Sequence, residues 1–154
     1  MTQNKLGKEV KVRLALHEDL PAIHALVGEL ADYEKESDAF VATLEDYQRD
    51  FAEGIFAAFV AEIDQEVIGM ALFYTAYSTW KGKMLWLEDF VVKESYRTHG
   101  VGQGLFDRLI THAQATGCQL MKWQVLDWNT PAIRFYEKNE ATIEKNWWNG
   151  KIAF

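Results

Sequence analysis

The stretch YRTHGVGQGLFDRLI, Tyr96 to Ile110, puts three glycines, Gly100, Gly102 and Gly104, where a helix should begin. Glycine weakens a helix interior. An apolar pattern of helical spacing follows, so the glycines need a reason of their own. A helix N-terminus leaves amide N–H groups unpaired and carries partial positive charge. Together these favour a bound anion, phosphate above all. Glycine lets a ligand approach the backbone and permits positive φ, and Arg97 can add a charge-assisted contact. The pattern suits a diphosphate held by main-chain donors; the plain alternative is a tight strand-to-helix turn with no ligand. The spacing G-x-G-x-G is not the dinucleotide fingerprint, and no G-K-[ST] follows, so NAD and ATP are disfavoured.

Around this stretch the chain reads as alternating elements. EVKVRLAL, Glu9 to Leu16, alternates with Val10, Val12, Leu14 and Leu16 on one side, a half-buried strand. Leu20, Ile23, Val27, Leu30 and Ala31 then recur at helical spacing. Thr43 with Asp46 three residues on is a capping-box pattern opening a short helix striped by Leu44, Tyr47 and Phe51. IFAAFVAEI, the turn DQE and VIGMALFYTAYS make a hairpin. MLWLEDFVV is nearly continuous in apolar residues and suits the sheet centre. After the glycines comes a helix to about Thr116. CQLMKWQVL is a strand, and TPAIRFYEKN is a helix with Asn129 as cap and Pro131 near its first turn. ATIE and WWNGKIAF read as two final short strands. The fold class is α/β: a single mixed, mostly antiparallel sheet flanked by helices, in one domain over residues 1–154.

The 154 residues, 49% apolar and 25% charged, are those of an ordinary globular domain. A net charge of −7 argues against nonspecific nucleic-acid binding, which needs a basic face, and fits a cationic substrate. No window is long and apolar enough for a membrane span, and MTQNKLGKEVKV lacks the apolar run of a signal peptide. The one cysteine, Cys118, cannot form an internal disulfide, which points to a reducing cytoplasm. His17, His24, His99 and His112 have no metal-ligand spacing with carboxylates or Cys118, so no metal is expected.

RTHGVG resembles the R/Q-x-x-G-x-G/A motif of the GNAT superfamily of N-acetyltransferases, and the element order resembles that fold. YSTWKG, LWLEDFVV, YRTHGVG and VLDWNTPAIRFY, taken together, resemble the diamine (spermidine/spermine) acetyltransferases, and YSTWKG and VLDWN look most like the thialysine acetyltransferase branch. The resemblance runs from about residue 10 to the end and is strongest from Tyr77 to Tyr136. It implies acetyl-CoA as co-substrate, a small-molecule amine as acceptor, a cytoplasmic homodimer, and no nucleic-acid or membrane partner. It also implies coenzyme contacts from Phe90, Val91 and Val92, from Arg97, Thr98, His99, Gly100, Val101, Gly102 and Gln103, and from Asn129 and Tyr136. Two departures stand out: Glu140 occupies a position where relatives commonly have glycine, and the given sequence ends with WWNGKIAF, where relatives continue further.

Acetyl transfer to an amine must remove a proton, polarise a carbonyl, help a thiolate leave and align the reactants. Glu88 and Asp89 are adjacent in a strand, so regular alternation predicts side chains on opposite faces. The resemblance associates Glu88 with amine deprotonation through water and Asp89 with substrate binding; a structural acidic pair is the alternative. A phenol can protonate a leaving thiolate because its pKa lies near that of a thiol, and the family's general acid falls at Tyr136. Trp80 could line the substrate mouth or mark a dimer contact. The expected activity is acetyl-CoA-dependent acetylation of a small primary amine by direct attack in a ternary complex. A peptide or aminoglycoside acceptor, or a non-catalytic coenzyme A-binding module, are the other readings.

Overall fold

The computed structural model describes residues 7–154 and the backbone of Thr2–Gln3. The part of the N-terminal reading that falls on Met1, Asn4, Lys5 and Leu6 lies outside the described residues. The chain divides into two compact units, Met1–Trp123 and Gln124–Phe154.

The first unit holds β1 (Thr2–Gln3), β2 (Glu9–Leu14), α1 (Leu20–Tyr33), α2 (Leu44–Ala52), β3 (Ala57–Ile63), β4 (Glu66–Ser78), β5 (Gly82–Val92), α3 (Val101–Ala115) and β6 (Leu120–Trp123). The six strands lie side by side in chain order. All pairs are antiparallel except β5 with β6, which is parallel. The crossover between those two strands is α3, as a parallel pair requires.

Alternation along β3 divides the core into two layers. Ala58 and Val60 pack with Leu20, Ile23, Leu26 and Val27 of α1, and Met70, Leu72 and Val91 join them. Phe59, one residue out of phase, meets the His112 ring at 5.3 Å and the Arg108 guanidinium at 5.1 Å, both on α3. The helices α1 and α3 therefore cover opposite faces of the sheet. Leu44, Tyr47 and Phe51 of α2 pack at the margin of the α1 layer. The predicted capping box of α2 forms, with Asp46 N donating to Thr43 Oγ1 at 3.1 Å and Thr43 N donating to Asp46 Oδ2 at 2.9 Å. Asp19, only 6% exposed, receives Arg13 through both guanidinium nitrogens at 2.7 and 3.0 Å. Arg13 also reaches Glu62 of β3 at 3.1 Å. This cluster ties β2 and β3 to the start of α1.

The second unit contains α4 (Thr130–Lys138) with irregular chain on either side. Asn129 caps α4 as predicted, its Oδ1 accepting from Ala132 N at 3.4 Å.

Three expectations are corrected. The alternation of β2 fails at its end, where Leu14 is 47% and Leu16 55% exposed. CQLMKWQVL is a strand only over Leu120–Trp123. The two final strands are absent: residues 141–154 carry no ladder, and Trp148 is 96% exposed. Apolar alternation marks a candidate strand, but a strand exists only where a neighbour supplies the hydrogen bonds.

Candidate active site

Two features meet at the C-terminal end of β5: an open helix terminus and a carboxylate pair.

The helix α3 starts from Gly100, whose φ of 86° lies in the left-handed region. That conformation explains the first glycine. A side chain at Gly102 would touch only Phe90 and Val92 at ordinary contact distance, and one at Gly100 would meet nothing within 4 Å. Internal packing therefore does not require Gly102 to be bare. Thr43 caps α2 and Asn129 caps α4, but Gly100 offers no side chain to the first amides of α3. Nδ1 of His99, in the loop just before, is buried without a hydrogen-bond partner among the described residues. The first turn of α3, to which Gly100 offers no side-chain cap, lies just after the orphaned imidazole nitrogen and fits a diphosphate-like anion. Thr98 precedes both at a φ of 66° and donates its hydroxyl to Arg97 O at 2.6 Å. Arg97 is engaged in part elsewhere: its Nε donates to Val92 O at 2.9 Å, and its guanidinium lies 5.7 Å from the Tyr33 ring centre.

On β5 the register against β4 slips. Leu72 pairs with Asp89 and Phe73 with Leu87, so Glu88 is an extra residue, a β-bulge. The slip reverses the expectation that Glu88 and Asp89 face apart. Trp86 Nε1 donates to Glu88 Oε2 at 2.7 Å, and Tyr74 Oη donates to the same oxygen at 3.4 Å, so Glu88 shares the face of Trp86 and Tyr74. Asp89 is paired with Leu72, and Leu72 belongs to the α1 layer. Beyond the slip Phe90 faces the other way and stacks on Phe106 of α3 at 5.9 Å. Both carboxylates thus stand on the α1 side.

Their environments differ. Glu88 is exposed and Asp89 half-buried. Burial first, then the charges of Glu88 and Glu34, raise Asp89 from the ordinary aspartate range to about 6. Glu34, at the end of α1, is itself raised by burial and then by Glu36. Tyr47 of α2 is pushed up to about 12 by burial and then by Asp89 and Glu88. Its ring is held edge-on by His24 at 4.9 Å and by Phe56 at 5.7 Å. Tyr74 is raised by burial, then by the charge of Glu88 and the bond to it. The result is an acidic surface on which Glu34, Glu88 and Asp89 lie near Tyr47, Tyr74 and Trp86. Such a surface attracts an ammonium group through carboxylates and ring faces together.

The parallel ladder between β5 and β6 ends at Leu87 with Trp123. From Glu88 to Val92, β5 keeps β4 as its one ladder neighbour among the described residues. The main chain of Phe90, Val91 and Val92 therefore has one unladdered side, part of it occupied where Arg97 binds Val92 O.

Trp80 lies at the β4–β5 tip and is 85% exposed. In the second unit, Tyr136 of α4 is 7% exposed, and its ring meets Phe135 edge-on at 5.7 Å. Glu34, Tyr47, Tyr74 and Trp86 were not singled out from the sequence as site residues. A signal for the bulge does exist there: the residues on the α3 side, Leu85, Leu87, Phe90 and Val92, are spaced two, three, two, and the gap of three marks the extra residue.

An open mixed sheet with helices on both faces and an uncapped, glycine-rich helix start after a bulged strand defines an acyltransferase-type α/β fold. Residues 18–140 match the acetyltransferase (GNAT) family model. The chain belongs to that family and is an acetyltransferase. It is 38% identical over 138 residues to a thialysine N-epsilon-acetyltransferase of Bos taurus, covering 83% of this chain and 81% of the relative. It is 37% identical over 113 residues to a protein of the same name from Caenorhabditis elegans, covering 73% and 71%. Among solved structures, an aminoglycoside acetyltransferase from an uncultured soil metagenomic sample, in complex with trehalose, superposes with a TM-score of 0.79 at 17% identity, covering 94% of this chain and 96% of that one. No helix among the described residues is long and apolar enough to cross a membrane.

Proposed function

We propose that this chain is an acetyl-CoA-dependent N-acetyltransferase acting on a primary amine of a small polyamine or thialysine-like amino acid, by direct attack in a ternary complex. One observation carries the acceptor class: the bulge at Glu88 turns two adjacent carboxylates to one face, beside Glu34 and three aromatic rings. An acceptor with two cationic ends finds there a carboxylate for each. The names of the relatives support the same class.

Acetyl-CoA supplies the acetyl group. The amides of Val101, Gly102 and Gln103, with Thr98, His99, Arg97 and Asn129, would hold its anionic and polar parts, and the main chain of Phe90, Val91 and Val92 its pantetheine arm. Glu88, the accessible carboxylate, takes the ammonium proton through water. Asp89 and Glu34 hold the second positive end, and Trp80 borders the mouth. Tyr136 returns a proton to the departing thiolate. The family match runs across the boundary between the two units, which supports a single N-acetyltransferase domain over residues 1–154. A homodimer in the cytoplasm completes the reading; exposed Tyr77 and Trp80 offer apolar surface for a second copy, and sedimentation reports its formation.

The test is thiol release from acetyl-CoA with spermidine, diaminopropane, thialysine, lysine, a peptide N-terminus and an aminoglycoside. Turnover should favour a small diamine or thialysine. Tyr136→Phe should lower kcat about 100-fold while acetyl-CoA affinity changes little. Equal turnover in that variant removes Tyr136 from the acid role. Tight acetyl-CoA binding without turnover on any amine would replace the enzyme reading with a binding module.

A further inference from the structure

The geometry points to Trp86 as a positioning residue for Glu88: with Tyr74 it ties one carboxylate oxygen and leaves the other for the acceptor's proton. The inference rests on the acetyl-transfer reading above.

Register brings the three together. Trp86 faces Tyr74 directly across the β4–β5 ladder, and Glu88 follows two residues after Trp86 on the same side. The two donors thus form a shelf beneath the bulge, and both bonds end on Oε2, at 2.7 Å from Trp86 and 3.4 Å from Tyr74. Oε1 receives no hydrogen bond among the described residues. A bulge residue has no ladder partner to fix its direction, and an exposed glutamate spreads over several rotamers. Something other than the sheet must hold this one.

The donor's chemistry matters. The indole N–H donates and cannot accept. It can therefore orient the Glu88 side chain through Oε2 without competing for the acceptor's proton. Trp86 is half-buried and sits in the regular part of β5, which makes it a firmer anchor than a surface lysine. In the reaction the ammonium N–H bond breaks, its proton passes to water, and water passes one to Oε1. The amine lone pair then becomes free for attack. Trp86 touches none of the reacting atoms and acts only through Glu88.

Two measurements test this in the intact protein. The first is the indole 15N–1H resonance of Trp86, identified by its loss in Trp86→Phe. It should lie downfield and move upfield in Glu88→Ala; a resonance indifferent to Glu88 overturns the inference. The second is a double-mutant cycle in thiol release. Trp86→Phe should lower kcat about tenfold, the scale of one charge-assisted hydrogen bond, with KM for acetyl-CoA unchanged. Tyr74→Phe should do the same more weakly, as its longer bond requires. In a Glu88→Gln background, Trp86→Phe should have almost no further effect. An equal tenfold loss in both backgrounds would make Trp86 a packing residue only. Wild-type protein inert toward every amine would sink the acetyl-transfer reading and this role with it, whereas an active wild type with an additive cycle sinks this role alone.

Discussion

Asp89 is the residue on which site and stability pull apart. Its raised pKa means that the folded chain binds this proton more tightly than the unfolded chain does. The charged form is therefore a cost to folding. That cost is fully present above about pH 6 and fades as pH falls toward the unfolded value near 4, amounting to roughly 1–3 kcal/mol. Asp89→Asn should raise the melting temperature by roughly 2–8 °C at pH 7.5, and the gain should disappear near pH 4. A gain independent of pH would mean that the buried charge is not its source. Asp19 has the opposite sign. The Arg13 guanidinium, chiefly by hydrogen bonding, and the Leu16 amide hold its carboxyl below the usual range. Its contribution is present above the ordinary value near 4 and is lost as pH falls further. The sequence singled out Glu88 and Asp89 but not Glu34. Glu34 approaches from the end of α1, and no local spacing links it to β5.

At the level of elements, helix ends carried the most legible information. The capping box at Thr43 and the cap at Asn129 are local contacts between residues three apart, so sequence alone could specify them. Glu140, a departure from the resembled family, also lies at a helix end. It sits just past α4 at a φ of 65°, and its amide and that of Ala141 bond back to Glu137 O and Tyr136 O. This left-handed helix stop normally belongs to glycine. Glu140→Gly should stabilise the chain by roughly 0.5–1 kcal/mol, read by urea unfolding; a destabilised variant would show that the Glu140 side chain supplies more than the strain removes. Asp19→Ala should cost roughly 2–4 kcal/mol, because it leaves Arg13 half-buried with Glu62 alone. A cost below about 1 kcal/mol would class that cluster with ordinary surface pairs. The strands were less legible. Leu14, Leu16, Trp147 and Trp148 have the right composition, but pairing is decided by segments far away in the chain.

For the whole molecule, the glycine stretch and the order of elements were enough to read the fold class, because each rests on local periodicity. What the sequence left undecided was the face on which each carboxylate stands. That depends on how two strands align, and a single strand's pattern records it only as a gap of three between Leu87 and Phe90. The slip also has a consequence for how β5 can change over evolutionary time. The bulge is a phase boundary. Leu85 and Leu87 before it, and Phe90 and Val92 after it, face α3 only because one residue between them is uncounted by the ladder. Deleting that one residue would restore a regular ladder and leave both halves of β5 facing as they do now, with Glu88 alone lost. The first carboxylate is therefore an insertion the core does not need: the strand could lose it in one step and keep every apolar contact behind it.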